Sequence, residues 1–121
     1  MNAKKKQLRQ EVYLEHMLDA IRLARSYVAG LSKEDFLADK KTQQAVILNI
    51  VVIGEAATQL ANECPAFVDQ APELPWKQMR GMRNRMAHGY FEINLDIVWD
   101  TVQDAFPHLE RQIAAIGRTA V

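Results

Sequence analysis

Between residues 76 and 92 the chain sets Lys77, Arg80, Arg83 and Arg85 against a single acidic group, Glu92, and adds His88 and Tyr90 at the end. On a helix, Lys77, Arg80, Asn84 and His88 follow three- and four-residue steps and share a face. Arg83 lies beside Asn84, about 100° round the axis, and Arg85 lies on the other flank. That mixture of guanidinium, amide and imidazole suits a phosphodiester. Arginine grips phosphate oxygens in a bidentate fork, and a neutral imidazole takes or gives a proton near pH 7. Tyr90 is placed to stack on a base or to present its hydroxyl. A plainer explanation stands beside this one, because cations near the C-terminal end of a helix are favoured by its dipole whatever the function. The composition points to anion contact and leaves catalysis open.

Other residue types carry weaker signals. Glu55 sits among Ile53, Gly54, Ala56 and Ala57, and a carboxylate in such surroundings needs a partner. Arg83, Arg80 or a backbone amide would serve, and an internal ion pair is favoured over a catalytic role. Gly54 is expected to permit close helix approach, and Asn49 to be a core or interface hydrogen-bonding residue. Trp76, Trp99, Tyr13, Tyr27, Phe36, Phe67 and Phe91 are expected to pack in the core, and His16 and His108 to lie at the surface or behind the site. The three histidines are far apart, with no second ligand at metal-site spacing, so no metal site and no cofactor are expected. The single cysteine, Cys64, fits a reducing compartment and a structural role.

These residues need a scaffold, and the hydrophobic pattern is helical almost throughout. The chain has 121 residues, 49% of them hydrophobic and 25% charged, with 15 basic and 15 acidic groups. That size suits one domain, residues 1–121, with 1–7 expected to be mobile. The even balance excludes a bulk polycation, yet four of the 15 cations fall between Lys77 and Arg85. A first helix is expected from Leu8 to Ala29, where apolar positions from Val12 to Val28 recur at helical spacing, and Gly30 reads as a left-handed cap. Ser32 to Asp35 reads as a capping box opening a short helix that ends near Ala38. A long helix runs from Lys40 to about Asn62, apolar on nearly every side between Ala45 and Ala57. Residues 64–75 carry three of the four prolines and read as the one long loop. Pro75 is expected at the first position of a helix ending at His88. Asn94 caps a last helix from Leu95 to about Ile116, which Pro107 should kink. The expected fold is all-α: an up-and-down four-helix bundle with a short extra helix. No uninterrupted apolar run reaches the length of a membrane span, and no secretory signal is visible, so a cytoplasmic location away from membranes is expected.

The segment Arg83-Asn84-Arg85-Met86-Ala87-His88-Gly89-Tyr90 resembles the Arg–x4–His–x–Tyr signature of HEPN-domain ribonuclease toxins, and the wider context resembles the HepT-like family. The likeness runs from about Tyr13 to Ile116. It takes in Tyr13-Leu14, Met17-Leu18-Asp19-Ala20-Ile21, Ile53-Gly54-Glu55-Ala56-Ala57, Pro75-Trp76 and Gly81-Met82-Arg83-Asn84. The blocks in this order and spacing are far more specific than the Arg/His motif alone.

The resemblance implies a HEPN-like fold and a metal-independent endoribonuclease toxin, acting as a homodimer and paired with a nucleotidyltransferase antitoxin. It implies Arg83 and His88 as the catalytic pair, with Asn84 in support and Tyr90 as the tyrosine that receives AMP. Glu55 joins the supporting residues, and Lys77, Arg80 and Arg85 are expected to contact RNA phosphates. The implied partners are an RNA substrate, tRNA or mRNA, the antitoxin and a second copy of the chain. RNA carries its own nucleophile, the 2′-hydroxyl, so His88 would act as general base or acid while Arg83 holds the phosphate. One histidine serves both ends of the displacement poorly, and a two-fold dimer would resolve the shortage. The competing reading is a non-catalytic helical dimer that serves as substrate- or nucleotide-binding partner of a nucleotidyltransferase. A purely structural dimer is the third.

Overall fold

The computed structural model describes residues 3–119, except for the side chains of Tyr90 and residues 117–119. All regular elements among them are helical. The first helix, α1, spans Ala3–Val28, beginning five residues before the expected start at Leu8. Its N-terminal turns carry Lys4, Lys5 and Lys6 in solvent. They precede Arg9 and Tyr13, both of which bond to Glu63. Gly30 follows with φ +80°, the left-handed conformation that a residue without Cβ adopts at no cost. Ser32 and Asp35 then form the expected capping box, opening α2 (Lys33–Leu37).

Asp39 caps α3 (Lys40–Glu63) by accepting from the Thr42 N–H. This helix is long and apolar enough to cross a bilayer by length and composition. Here it is the central element, packed between α1 on one side and α5 (Trp76–His88) on the other. Its apolar surface is not all covered within one chain, since Leu48 is 62% exposed. Residues 64–75 are not one loop, because Pro65–Gln70 forms a short helix, α4. Proline at a first helical position removes no needed N–H, so the Pro-rich composition that suggested a loop also suits a helix start. Pro75 is the residue flanking α5, and the helix itself begins at Trp76.

After a 3₁₀ turn at Tyr90–Glu92, Asn94 accepts from the N–H groups of Asp96 and Ile97 and opens α6 (Leu95–Asp100). A π-helical turn at Thr101–Ala105 joins it to α7 (Phe106–Thr119). The wide turn lies directly before Pro107, whose ring would otherwise clash with the carbonyl four residues back. The Phe106 N–H accordingly reaches back five residues to Thr101 O. The four principal helices are therefore α1, α3, α5 and the α6–α7 rod, with α2 and α4 as short additions. The core between them holds Met17, Ile21, Phe36, Val46, Leu60 and Ile113. Trp76 is buried, donating its indole N–H to Ala71 O at 2.8 Å. Trp99 is half-buried against Phe36, with ring centroids 5.4 Å apart.

Candidate functional site

Packing on α3 sets how α5 turns. Trp76, Met79 and Met86 are buried, and their spacing defines the inward stripe of the helix. The same geometry directs Lys77, Arg80, Asn84 and His88 outward, and all four are exposed. The shared basic face read from the sequence is therefore present. Arg85 is exposed on the far flank. It lines a cleft of about 540 Å³ between α5 and the α6–α7 rod, together with Met79, Met82, Ile97 and Phe106. Arg83 does not line this cleft.

Arg83 behaves differently from the other cations. Its side chain is only 20% exposed and runs against α3, where Nε lies 3.4 Å from Glu55 Oε1. Its Nη2 donates to Thr58 Oγ1 at 3.1 Å, and Thr58 Oγ1 lies 2.9 Å from Gly54 O. Nε itself is buried and makes no hydrogen bond. The closeness of the two helices depends on Gly54. A Cβ at that position would stand 2.1 Å from Arg83 Cβ and 2.7 Å from Met79 O, far inside contact distance. Glycine is the one residue that lets α5 lie this close.

Glu55 pairs with Arg83, as one of its expected partners. Its setting is corrected: the side chain is 51% exposed, because it points along the outer edge of α3 while Gly54, Ala56 and Ala57 face inward. Asn49 is buried and donates to Ala45 O within its own helix. Thr58 was missed as a site residue. Its signal was helical spacing, since Thr58 falls three residues after Glu55 and four after Gly54, on the same side of α3.

Beyond His88, Gly89 ends α5 with its N–H on Arg85 O at 2.9 Å. Tyr90 begins the 3₁₀ turn, and its side chain, the expected modification site, lies outside the described residues. Phe91 corrects a core assignment, being 88% exposed beside the motif. Tyr27 is likewise exposed. His16 and His108 are exposed as expected. Among the described residues no three His, Cys, Asp or Glu side chains gather as a metal-binding cluster. Cys64 is buried, and burial pushes its thiol up from the usual range, which suits a structural residue.

Comparison with known proteins decides what these residues belong to. Residues 17–116 match the family described as Ribonuclease HepT-like. The chain belongs to the HepT-like ribonuclease family. It is 40% identical over 98 residues to the "Probable ribonuclease HepT" of Thermococcus cleftensis, covering 81% of this chain and 86% of that protein. A "Putative RNase" of Caldanaerobacter subterraneus is 36% identical over 86% of this chain and 90% of its own length. Another "Putative RNase", from Methanocaldococcus jannaschii, is 39% identical over 93% of this chain and 88% of its own. No solved structure matches the chain significantly. The HepT-like match includes α3, α5 and all the residues gathered around Arg83.

Proposed function

We propose that this HepT-like protein is an endoribonuclease that cuts RNA without a metal ion, with Arg83 and His88 as its catalytic residues. One observation carries the reading: in a chain of this family, α5 holds Arg83 fixed against α3 while His88 stands exposed among Lys77, Arg80 and Asn84. The exposed cations hold the RNA backbone, which is bound chiefly through its phosphates. The substrate 2′-hydroxyl attacks the adjacent phosphorus as one His88 takes its proton. The bond to the 5′-oxygen breaks, and a protonated His88 returns a proton to that oxygen. The products are a 2′,3′-cyclic phosphate and a 5′-hydroxyl. Arg83 offsets the charge that builds on the phosphate oxygens, and Asn84 supports the contact.

The proton bookkeeping favours two histidines, supplied by a homodimer. Lys41, Gln44, Leu48, Glu55 and Asn62 form one exposed line along α3, and Leu48 lies two turns from the Glu55–Arg83 pair on that line. A second copy seated there joins two half-sites. In the proposed pairing, a nucleotidyltransferase antitoxin transfers AMP to Tyr90. The added phosphodiester and purine then occupy the RNA phosphate site, in the cytoplasm where tRNA and mRNA are found.

The engagement of Arg83 with α3 also favours a second reading, in which the arginine is structural and the chain is a non-catalytic dimer serving a nucleotidyltransferase. RNA cleavage in EDTA separates the two. The wild-type protein should cut tRNA or bulk RNA, and His88→Ala should lower the rate by about 100-fold or more with its circular dichroism unchanged. A folded His88→Ala protein that cuts at the wild-type rate overturns the assignment. Incubation with the partner enzyme and ATP should raise the intact mass by one or more AMP groups in wild type but not in Tyr90→Phe.

A further inference from the structure

An arginine that grips a phosphate during displacement must present one edge of its guanidinium and keep it there. Arg83 has two edges that fit a phosphate, Nε with Nη2, and Nη1 with Nη2. The first is closed, because Nε is buried facing Glu55 without a hydrogen bond. What holds Nη2 is the hydroxyl of Thr58, 3.1 Å away. That hydroxyl has one proton, and arginine can only donate. The Thr58 proton therefore goes to the Gly54 carbonyl, 2.9 Å away, and its oxygen accepts from Nη2. The result is a one-way relay from Arg83 through Thr58 to the backbone of α3.

We propose that Thr58 is a positioning residue for Arg83, its hydroxyl fixing the rotation of the guanidinium so that the Nη1–Nη2 edge meets the scissile phosphate. The inference rests on Arg83 being the phosphate-binding group and specifies which of its atoms do the binding. The competing arrangement is close at hand. Glu55 Oε1 already lies 3.4 Å from Nε, and a free guanidinium beside a carboxylate turns to pair with it through two parallel N–H groups. Thr58 prevents that turn by occupying an Nη2 hydrogen. Without it, Nη2 swings toward Glu55 and leaves the phosphate. Valine keeps the shape of threonine and removes the acceptor, while serine keeps the acceptor.

The test measures kcat and KM for RNA cleavage with the full chain. Thr58→Val should lower kcat about tenfold or more, the usual scale for a hydrogen bond to a charged group, and move KM by less than about twofold. Thr58→Ser should recover most of the loss. A general loosening of the fold would not be rescued in this way. NMR of the Arg83 side chain supplies a readout independent of turnover: the Nη2 proton shifts should agree between wild type and Thr58→Ser, and should move in Thr58→Val as Nη2 exchanges the hydroxyl for the Glu55 carboxylate. Unchanged kcat and unchanged Nη2 shifts in Thr58→Val, with His88→Ala inactive, overturn the role of Thr58 and leave the ribonuclease reading standing. Wild-type protein that leaves RNA intact overturns both.

Discussion

Arg83 and His88 lie five residues apart on one helix, which sets them about 140° apart round its axis and about 7.5 Å apart along it. One is drawn under the edge of α3 and the other stands in solvent. The residue that governs this division is Gly54, whose missing side chain lets the backbone of α5 come down onto α3. Alanine there gains about 1 kcal/mol of helix propensity. Against that gain stands a Cβ placed 2.1 Å from Arg83 Cβ and 2.7 Å from a backbone carbonyl, neither of which can swing aside. Overpacking of this kind costs about 3 kcal/mol at the upper end of its range, so the clash wins. Gly54→Ala should lower the melting temperature by roughly 6–10 °C, read by circular dichroism, and lower RNA cleavage as Arg83 leaves its seat. An unchanged melting temperature would mean that α5 lifts off α3 freely, and the steric account would fail. The sequence showed Gly54 as a small residue for close approach and Arg83 as a partner for Glu55. It did not show Thr58, because a threonine in an apolar helix looks the same whether its hydroxyl bonds only to the preceding turn or also receives a distant guanidinium.

At the scale of elements, the caps were the most readable features. Ser32 with Asp35, Gly30 and Asn94 each satisfy groups within a few residues of themselves, so local sequence decides them. The N-terminal turns of α1 were less readable, because what anchors them lies 50 and more residues away. Arg9 and Tyr13 both bond to Glu63 at the end of α3. The Tyr13 hydroxyl, and after it the Arg9 guanidinium, hold the Glu63 carboxyl below the usual range. A carboxylate whose folded pKa is depressed contributes stability above its unfolded pKa and loses it as the pH falls through the folded value. Glu63→Gln mimics the protonated state. The melting temperature of wild type should therefore exceed that of Glu63→Gln at pH 6. The gap should hold down to about pH 4.3, the ordinary glutamate range, and close below it. A gap that stays constant through that window would show that the charge of Glu63 does not fasten α1 to α3.

For the molecule as a whole, the proposed homodimer makes one chain half of a site. The cations proposed to hold RNA are gathered on α5, and the exposed line on α3 brings Leu48 within two turns of the Arg83 seat. Leu48 is 62% exposed and flanked by half-buried Ile47, Val51 and Val52, a surface that gains by covering. Burying a leucine contributes about 1.5–3 kcal/mol, whereas an unpaired carboxylate in the same place costs more than about 3 kcal/mol. Leu48→Glu should therefore weaken self-association by at least about 100-fold. In the monomer the exposed glutamate touches no core group, so secondary structure should be preserved. Sedimentation should show a dimer for wild type and a monomer for Leu48→Glu at the same concentration. RNA cleavage should fall with the dimer, although Arg83, Thr58 and His88 are untouched, because each copy then brings one His88 to two proton transfers. A Leu48→Glu monomer that cuts RNA at the wild-type rate would show that one chain is a complete enzyme, and a Leu48→Glu protein that stays dimeric would move the interface away from this face of α3.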